Sequence, residues 1–184
     1  MAVIRPFECV RPQAEKAERV AALPYDVYNR EEACREVARE PLSFLKIDRA
    51  ETLFDSSVDT YAPEVYAKAK ELLENAIADG TFIKDSEQAY YIYELTMDGR
   101  VQTGLVACAS IDDYESNVIK KHENTRADKE LDRITHVDTC NAQTGPIFLA
   151  YRANAVINGE IDKAKKNSSL YNFVSPDGVR HQVW

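Results

Sequence analysis

YYIYELTMDGRVQTGLVACAS, residues 90–110, predicts a β-hairpin around which the other elements can be placed. Two runs rich in aromatic and β-branched residues flank the turn sequence Met-Asp-Gly-Arg at 97–100. Its Asp-Gly pair favours the tight connection that joins two antiparallel strands. We therefore expect strands over residues 90–96 and 101–110.

Helical patterns precede the hairpin. Residues 63–78 carry apolar side chains at helical spacing, with Pro63 in the first turn. Asn29 and Glu32 have the spacing of a capping box, so a helix is expected to begin there and to end near Arg39.

Another helix is predicted from residue 127 onward. One face is apolar, with residues three and four positions apart: Ala127, Leu131, Ile134 and Val137. A second face is charged: Arg126, Glu130 and Arg133. We expect the apolar face to pack inward and the charged face to form surface ion pairs.

Shorter signals complete the pattern. Strands are predicted at residues 2–7, 43–47 and 147–151 and on both sides of the turn at 176–178, and helices at residues 13–20 and from Asn158 to 166. Because hairpins stand beside helical crossovers, we predict an α+β fold, a mixed sheet with flanking helices.

Length and charge limit the possible functions. A chain of 184 residues with 45% hydrophobic content can bury one core, so residues 1–184 are expected to form a single domain. The chain stops inside a strand-like pattern, which we interpret as the N-terminal part of a longer protein. The net charge of −8 disfavours nucleic-acid binding and leaves a small anionic or phosphorylated ligand as the expected partner.

Composition also bears on location and cofactors. No apolar run approaches the roughly 20 residues that span a bilayer, so no membrane association is expected and a cytoplasmic location is predicted. The four cysteines are scattered and none forms a CxxC pair. Zinc, haem and iron–sulfur centres are therefore not indicated.

The densest polar segment is KKHENTRADKELDR, residues 120–133. It lies where a strand is expected to lead into a helix, and the first N–H groups of a helix attract anions. One interpretation is a phosphate site formed by Lys121, Asn124, Thr125 and Arg126, with His122 and Glu123 moving protons. The other is a solvated helix start, capped by Asn124 or Thr125.

Asp26, in Leu-Pro-Tyr-Asp-Val at residues 23–27, is a further candidate. Pro24 stiffens the loop that presents this carboxylate, so Asp26 could act as a second catalytic acid or as a metal ligand. An Asx-type turn before the next helix explains the same residue equally well.

Four phrases carry a family resemblance: IRPFECVRP at 4–12, AALPYDVYNREEA at 21–33, PLSFLKIDRAE at 41–51 and VIKKHENTRADKELDR at 118–133. Together they resemble the bacterial family labelled domain of unknown function 1015 over essentially the whole chain. Members of that family are usually longer, and the resemblance implies that this chain is an N-terminal part.

The order of these motifs is also similar to the ParB and sulfiredoxin superfamily, which includes nucleotide-dependent free serine kinases. There a glycine-histidine-arginine motif holds nucleotide phosphates at a helix start. Here Lys121 stands in place of the glycine, and the nearest arginine is Arg126. The resemblance implies a ParB/sulfiredoxin-like fold.

The same resemblance implies ADP or ATP with Mg²⁺ as cofactor and a phosphotransferase acting on a small hydroxyl metabolite such as serine or phosphoserine. His122, Glu123 and Asp26 are then the catalytic candidates. The departure at Lys121 keeps a second hypothesis open, a non-catalytic regulatory module that binds a nucleotide or a phosphorylated metabolite.

Overall fold

The computed structural model describes residues 2–121 and 124–184. The strands are β1 (Ile4–Arg5), β2 (Val10–Pro12), β3 (Phe82–Lys84), β4 (Tyr91–Met97), β5 (Arg100–Val106), β6 (Cys108–Ala109), β7 (Tyr171–Val174) and β8 (Arg180–Val183). The helices are α1 (Ala17–Val20), α2 (Arg30–Arg39), α3 (Leu45–Asp48), α4 (Pro63–Ala78), α5 (Ile111–Glu115), α6 (Ala127–Cys140) and α7 (Ala155–Ala164). Short 3₁₀ turns occupy Ala14–Lys16, Tyr25–Val27 and Ala50–Leu53. Helices beside small sheets confirm the predicted α+β class.

Contacts divide the described chain into two compact units. The first contains residues 2–10, 84–121 and 146–184, and the second contains residues 11–83 and 124–145. The prediction that residues 1–184 form one domain of a longer protein stays a prediction.

The first unit is built on the expected hairpin. Strands β4 and β5 pair from Tyr91 opposite Val106 to Met97 opposite Arg100, and β8 and then β7 extend the sheet on the β4 side. All of these ladders are antiparallel, whereas a mixed sheet was predicted. Two of the three ladders have a local reason, because tight turns join β4 to β5 and β7 to β8, and a tight turn reverses the chain.

The hairpin turn depends on glycine at one position. Gly99 has a φ of 77°, in the left-handed region that a side chain disfavours, and open space surrounds the position of an added Cβ. We expect Gly99→Ala to destabilise the protein by about 1–2 kcal/mol through backbone strain alone. Gly159, inside α7 and equally unobstructed, is the matched control. Gly159→Ala should raise the free energy of unfolding by about 0.4–1 kcal/mol, and equal effects in urea unfolding would contradict this account.

The second unit holds the main apolar core. Helix α4 has the predicted bounds and supplies Val65, Ala69 and Leu73 to a cluster with Ile47 and Phe82. Helix α2 also begins as predicted. The side chain of Asn29 accepts from the main-chain N–H of Glu32, and the Glu32 carboxylate accepts from the N–H of Asn29.

The predicted strand at residues 43–47 is wrong, because this segment leads into the single helical turn α3. Leu45 and Ile47 are both fully buried. In a strand, residues two positions apart point to the same face, so both side chains would have to pack into the same cluster. Instead Leu45 packs with Ala33 and Val37, whereas Ile47 packs into the cluster around α4. Two residues apart on a helix point in nearly opposite directions, so α3 fills both clusters.

Helix α6 exists as predicted, but the face assigned to the core is wrong. Leu131 and Ile134 are 65% and 57% exposed, whereas Asp132, His136 and Cys140 are buried. Asp132 accepts a hydrogen bond from Tyr66, and Nε2 of His136 bonds to the main-chain carbonyl of Ile47, so burial of these atoms is compensated. Helical spacing was therefore read correctly, and the choice of the buried face was not.

Two further predictions fail in the C-terminal third. Residues 147–151 form no strand, and Ile147 and Phe148 lie exposed. Helix α7 is capped by Asn154, whose side chain accepts from the N–H groups of Val156 and Ile157. Asn158, the predicted cap, lies inside the helix. A run of apolar residues alone does not distinguish an exposed segment from a buried strand.

Candidate functional site

A polar cavity of about 290 Å³ lies within the second unit. Its wall comes from the 3₁₀ turn at Tyr25–Val27, from residues 48–51 and from the first turns of α6, with Tyr61 and Tyr66 beside them. These segments correspond to three of the four phrases that carry the family resemblance. Both carboxylates and cations line the wall, and polar groups in a pocket fix the orientation of a bound small molecule.

Arg49 holds the loop on one side of the cavity. Its Nε lies 2.5 Å from the Glu51 carboxylate, which is 2% exposed. Its Nη1 donates to the main-chain carbonyls of Tyr25 and Tyr28, each at 2.9 Å. A single guanidinium therefore fixes the position of the turn that carries Asp26.

Asp132 is the centre of a buried network on α6. It accepts a hydrogen bond from the Tyr66 hydroxyl at 2.9 Å and pairs with Arg133 at 3.0 Å. Burial, together with this bond to Asp132, raises the pKa of Tyr66, so its phenol remains a donor. The Arg133 guanidinium stacks on the ring of Tyr25 at 4.3 Å and completes the contact between α6 and the loop.

Asp48 is the carboxyl group of the cavity with the clearest electrostatic perturbation. Burial raises its pKa, while the nearby His136 and Arg133 and a hydrogen bond from Thr144 act in the opposite direction. The distances are 3.2 Å to Thr144 Oγ1 and 4.0 Å to Arg133 Nη1. A carboxyl with a raised pKa in a cavity is suited to proton exchange.

Lys129 brings a positive charge to the same wall. Its Nζ donates to the Tyr61 hydroxyl at 3.1 Å, and this bond is the main cause of a raised pKa for Lys129. The lysine is therefore held in its charged form. A cation in this position can neutralise a carboxylate or a phosphate.

Asp26 is the one described catalytic candidate that lines the cavity. It lies in the 3₁₀ turn Tyr25–Val27, and Asn29 caps the next helix. Within residues 2–121 and 124–184, no three His, Cys, Asp or Glu side chains are grouped as ligands for a metal ion. His122 and Glu123, the other two catalytic candidates, lie outside the described residues.

The four phosphate-binding candidates do not belong to the cavity wall as the described residues form it. Arg126 is the N-cap residue of α6, and its side chain is 77% exposed and paired with Asp128 at 2.8 Å. Burial opposes ionisation of the Asp128 carboxyl, yet Arg126 and the first N–H groups of α6 lower its pKa. The Asp128 carboxylate therefore lies at the helix start where a phosphate was expected.

The other candidates in this segment are more scattered. Asn124 and Thr125 are exposed, and α6 receives no side-chain cap, so the expectation that either residue caps the helix is wrong. Lys121 belongs to the first unit, where its Nζ lies 4.8 Å from the centre of the Tyr114 ring.

Sequence reasoning missed most of the cavity. Asp48, Arg49, Glu51 and His136 were not among the predicted site residues. One signal was present, because the polar residues of α6 recur at helical spacing: Lys129, Asp132, Arg133 and His136. The sequence prediction instead grouped Arg126, Glu130 and Arg133 as a charged surface face, because charged residues are usually exposed.

The fold is α+β, and the cavity in the second unit is lined by side chains of both charges. The chain belongs to the family described as "Protein of unknown function (DUF1015)", whose model matches residues 4–184. No curated protein and no solved structure matches the chain. In the described part, no helix combines the length and apolar character needed to cross a bilayer.

Proposed function

We propose that this protein is a nucleotide-dependent phosphotransferase that acts on a small hydroxyl metabolite such as serine or phosphoserine. The observation that carries the proposal is the presence of both signs of charge in one cavity. Lys129 and Arg133 face the same space as Asp26 and Asp48. An amino acid needs this combination, because its carboxylate pairs with a cation and its ammonium with a carboxylate.

Phosphoryl transfer places similar demands on a site. Cations neutralise the phosphates, and a carboxylate or imidazole accepts the proton of the attacking hydroxyl. Mg²⁺ bound to a nucleotide requires only one or two protein carboxylates, and Asp26 could supply one. The motif order that resembles the ParB/sulfiredoxin superfamily supports the same class of reaction and a related fold.

A non-catalytic module that binds a nucleotide or a phosphorylated metabolite is the second candidate. The pairing of Arg126 with Asp128 favours the form that binds a phosphorylated metabolite, because this arginine is already neutralised at the helix start where a nucleotide phosphate was expected. Such a module would still bind its ligand in the cavity.

A ligand panel tests the proposal. ADP, ATP, serine, phosphoserine and phosphate are added with and without Mg²⁺, and thermal unfolding is followed. A ligand at about 100 times its Kd stabilises by about 2.7 kcal/mol, which raises Tm by about 2–4 °C for each kcal/mol in a chain of this size. We expect Lys129→Met to remove most of this shift.

Lys70→Met is the matched control, since Lys70 is an exposed lysine on α4 that pairs only loosely with Glu74 at 3.9 Å. Phosphorus NMR of the same mixtures distinguishes the two candidates. A new phosphomonoester signal supports a phosphotransferase, whereas a Tm shift without transfer supports the binding module. No shift with any ligand, or an equal shift in Lys129→Met, would contradict a ligand site in this cavity.

A further inference from the structure

His136 lies in the cavity wall, and its two ring nitrogens have different surroundings. The residue is 2% exposed, and its Nε2 lies 3.0 Å from the main-chain carbonyl oxygen of Ile47. A carbonyl oxygen can only accept a hydrogen bond, so Nε2 must carry the hydrogen. In the neutral ring, Nδ1 is then a lone-pair acceptor.

Nδ1 of His136 is buried and has no hydrogen-bonding partner in the part of the chain that the structure describes. Leaving a buried polar atom without a partner costs about 1–3 kcal/mol. Such atoms are rare in native proteins, and an unfilled ligand or catalytic role is one of the recognised reasons for them. Because Nε2 carries the hydrogen, Nδ1 of the neutral ring can only accept a hydrogen bond. Its partner must therefore be a hydrogen-bond donor.

The groups around the imidazole suit a proton acceptor. Asp48 lies close enough for its carboxylate to interact with the charged form of His136, and Arg133 and Asp132 share the cavity wall. An imidazolium formed at His136 would therefore have a carboxylate nearby. The bond to Ile47 remains in place in both protonation states, so the ring need not move when it gains a proton.

We propose that Nδ1 of His136 binds the ligand of this cavity by accepting a hydrogen from its hydroxyl group. This inference rests on the proposed function, where it makes His136 the base for phosphoryl transfer. The hydroxyl O–H bond breaks and its proton moves to Nδ1, while the oxygen forms a bond to the terminal phosphorus of the nucleotide. The bond from that phosphorus to the bridging oxygen breaks, and the shortened nucleotide leaves with the electron pair.

Two substitutions separate this role from a structural one. His136→Gln can keep an amide N–H near the position of Nε2 and so retain the bond to Ile47, but it has no acceptor at Nδ1. His136→Asn places an acceptor near Nδ1 but cannot reach Ile47. We expect His136→Gln to fold with a Tm close to that of the native protein, to lose the Tm shift with serine, and to lower kcat/KM by about 10²–10⁴.

His136→Asn should instead be less stable and keep part of the ligand-induced shift. If His136→Gln retains the full shift and turnover within twofold of the native protein, the role assigned to Nδ1 is excluded, and the phosphotransferase proposal is untouched.

Nitrogen-15 NMR of the native protein provides a measurement that needs no variant. Serine and ethanolamine, which carry a hydroxyl group, are added to protein with labelled histidine, and the Nδ1 resonance of His136 is followed. We expect it to move in the direction of hydrogen-bond acceptance. Movement without any phosphoryl transfer would retain the inference and remove the proposed reaction, and no movement with either probe would overturn the inference.

Discussion

Arg49→Met is expected to destabilise the protein by about 3–5 kcal/mol, the usual cost of removing one partner from a buried ion pair. The Arg49 and Glu51 side chains are 15% and 2% exposed, so the variant leaves the Glu51 carboxylate buried without its cation. The carbonyls of Tyr25 and Tyr28 also lose their donor. Urea unfolding measures the loss.

The matched control for this prediction is Arg35→Met. Arg35 pairs with Glu31 at the same distance of 2.5 Å, but both side chains are exposed, so we expect a change of at most about 1 kcal/mol. Replacing both buried partners, as in Arg49→Met with Glu51→Leu, should recover much of the stability, because no unpaired charge remains. Equal losses in Arg49→Met and Arg35→Met would show that burial of the pair has no energetic consequence.

The double variant has a further use. It leaves no unpaired buried charge, but it also lacks the hydrogen bonds by which Arg49 holds the loop that carries Asp26. We therefore expect it to be folded yet to show a weaker ligand-induced Tm shift than the native protein. A full shift would mean that Arg49 does not position the loop for binding.

Asp48→Asn is expected to stabilise the protein near pH 7 and to weaken ligand binding by about 10- to 100-fold. The first effect follows from burial, which disfavours the charged carboxylate and raises the pKa of Asp48. The second is the loss of a charge-assisted hydrogen bond worth about 1.5–3 kcal/mol. Stability gained where function is lost is typical of residues retained for activity.

The pH dependence of this effect has a definite sign. A carboxyl whose pKa is raised by folding keeps its proton in the native state above the ordinary value of 3.8, and that contribution is lost as pH rises through the folded pKa. The Tm of Asp48→Asn minus that of the native protein should therefore increase from pH 4 to pH 7. A decrease would show that the fold favours the ionised form.

Asp55→Asn is the control of opposite sign. Hydrogen bonds from the N–H and hydroxyl of Ser57 lower the pKa of Asp55. This carboxylate contributes stability above pH 3.8, and the contribution is lost as pH falls through its folded pKa. Asp55→Asn should thus be less stable than the native protein near pH 7, with the difference shrinking toward low pH.

Elements with their own local signals were predictable. The hairpin turn needs positive φ at two residues, and Asp98 and Gly99 both adopt it. The capping box at Asn29 and the bounds of α4 depend on residues a few positions apart. In each case the stabilising contacts lie within one element, so the sequence contains the whole interaction.

Tertiary structure decided which faces are buried. Leu131 and Ile134 of α6 are apolar yet exposed, whereas Asp132 and His136 face the interior, where they hydrogen-bond to Tyr66 and to the Ile47 carbonyl, both distant in sequence. The same reason applies to the segment around Leu45, whose neighbours come from two separate clusters.

The candidate site shows the same division. The chain alone identified the family, the α+β class and Asp26 as a residue of interest. The cavity itself required the fold, because its charges come from residues 25–28, 48–51 and 129–136, and nothing along the chain shows that these three segments meet. These charges of opposite sign surround one cavity only because the fold brings three segments together that are distant in sequence. The spacing of residues along the chain does not encode the distances between those segments in space.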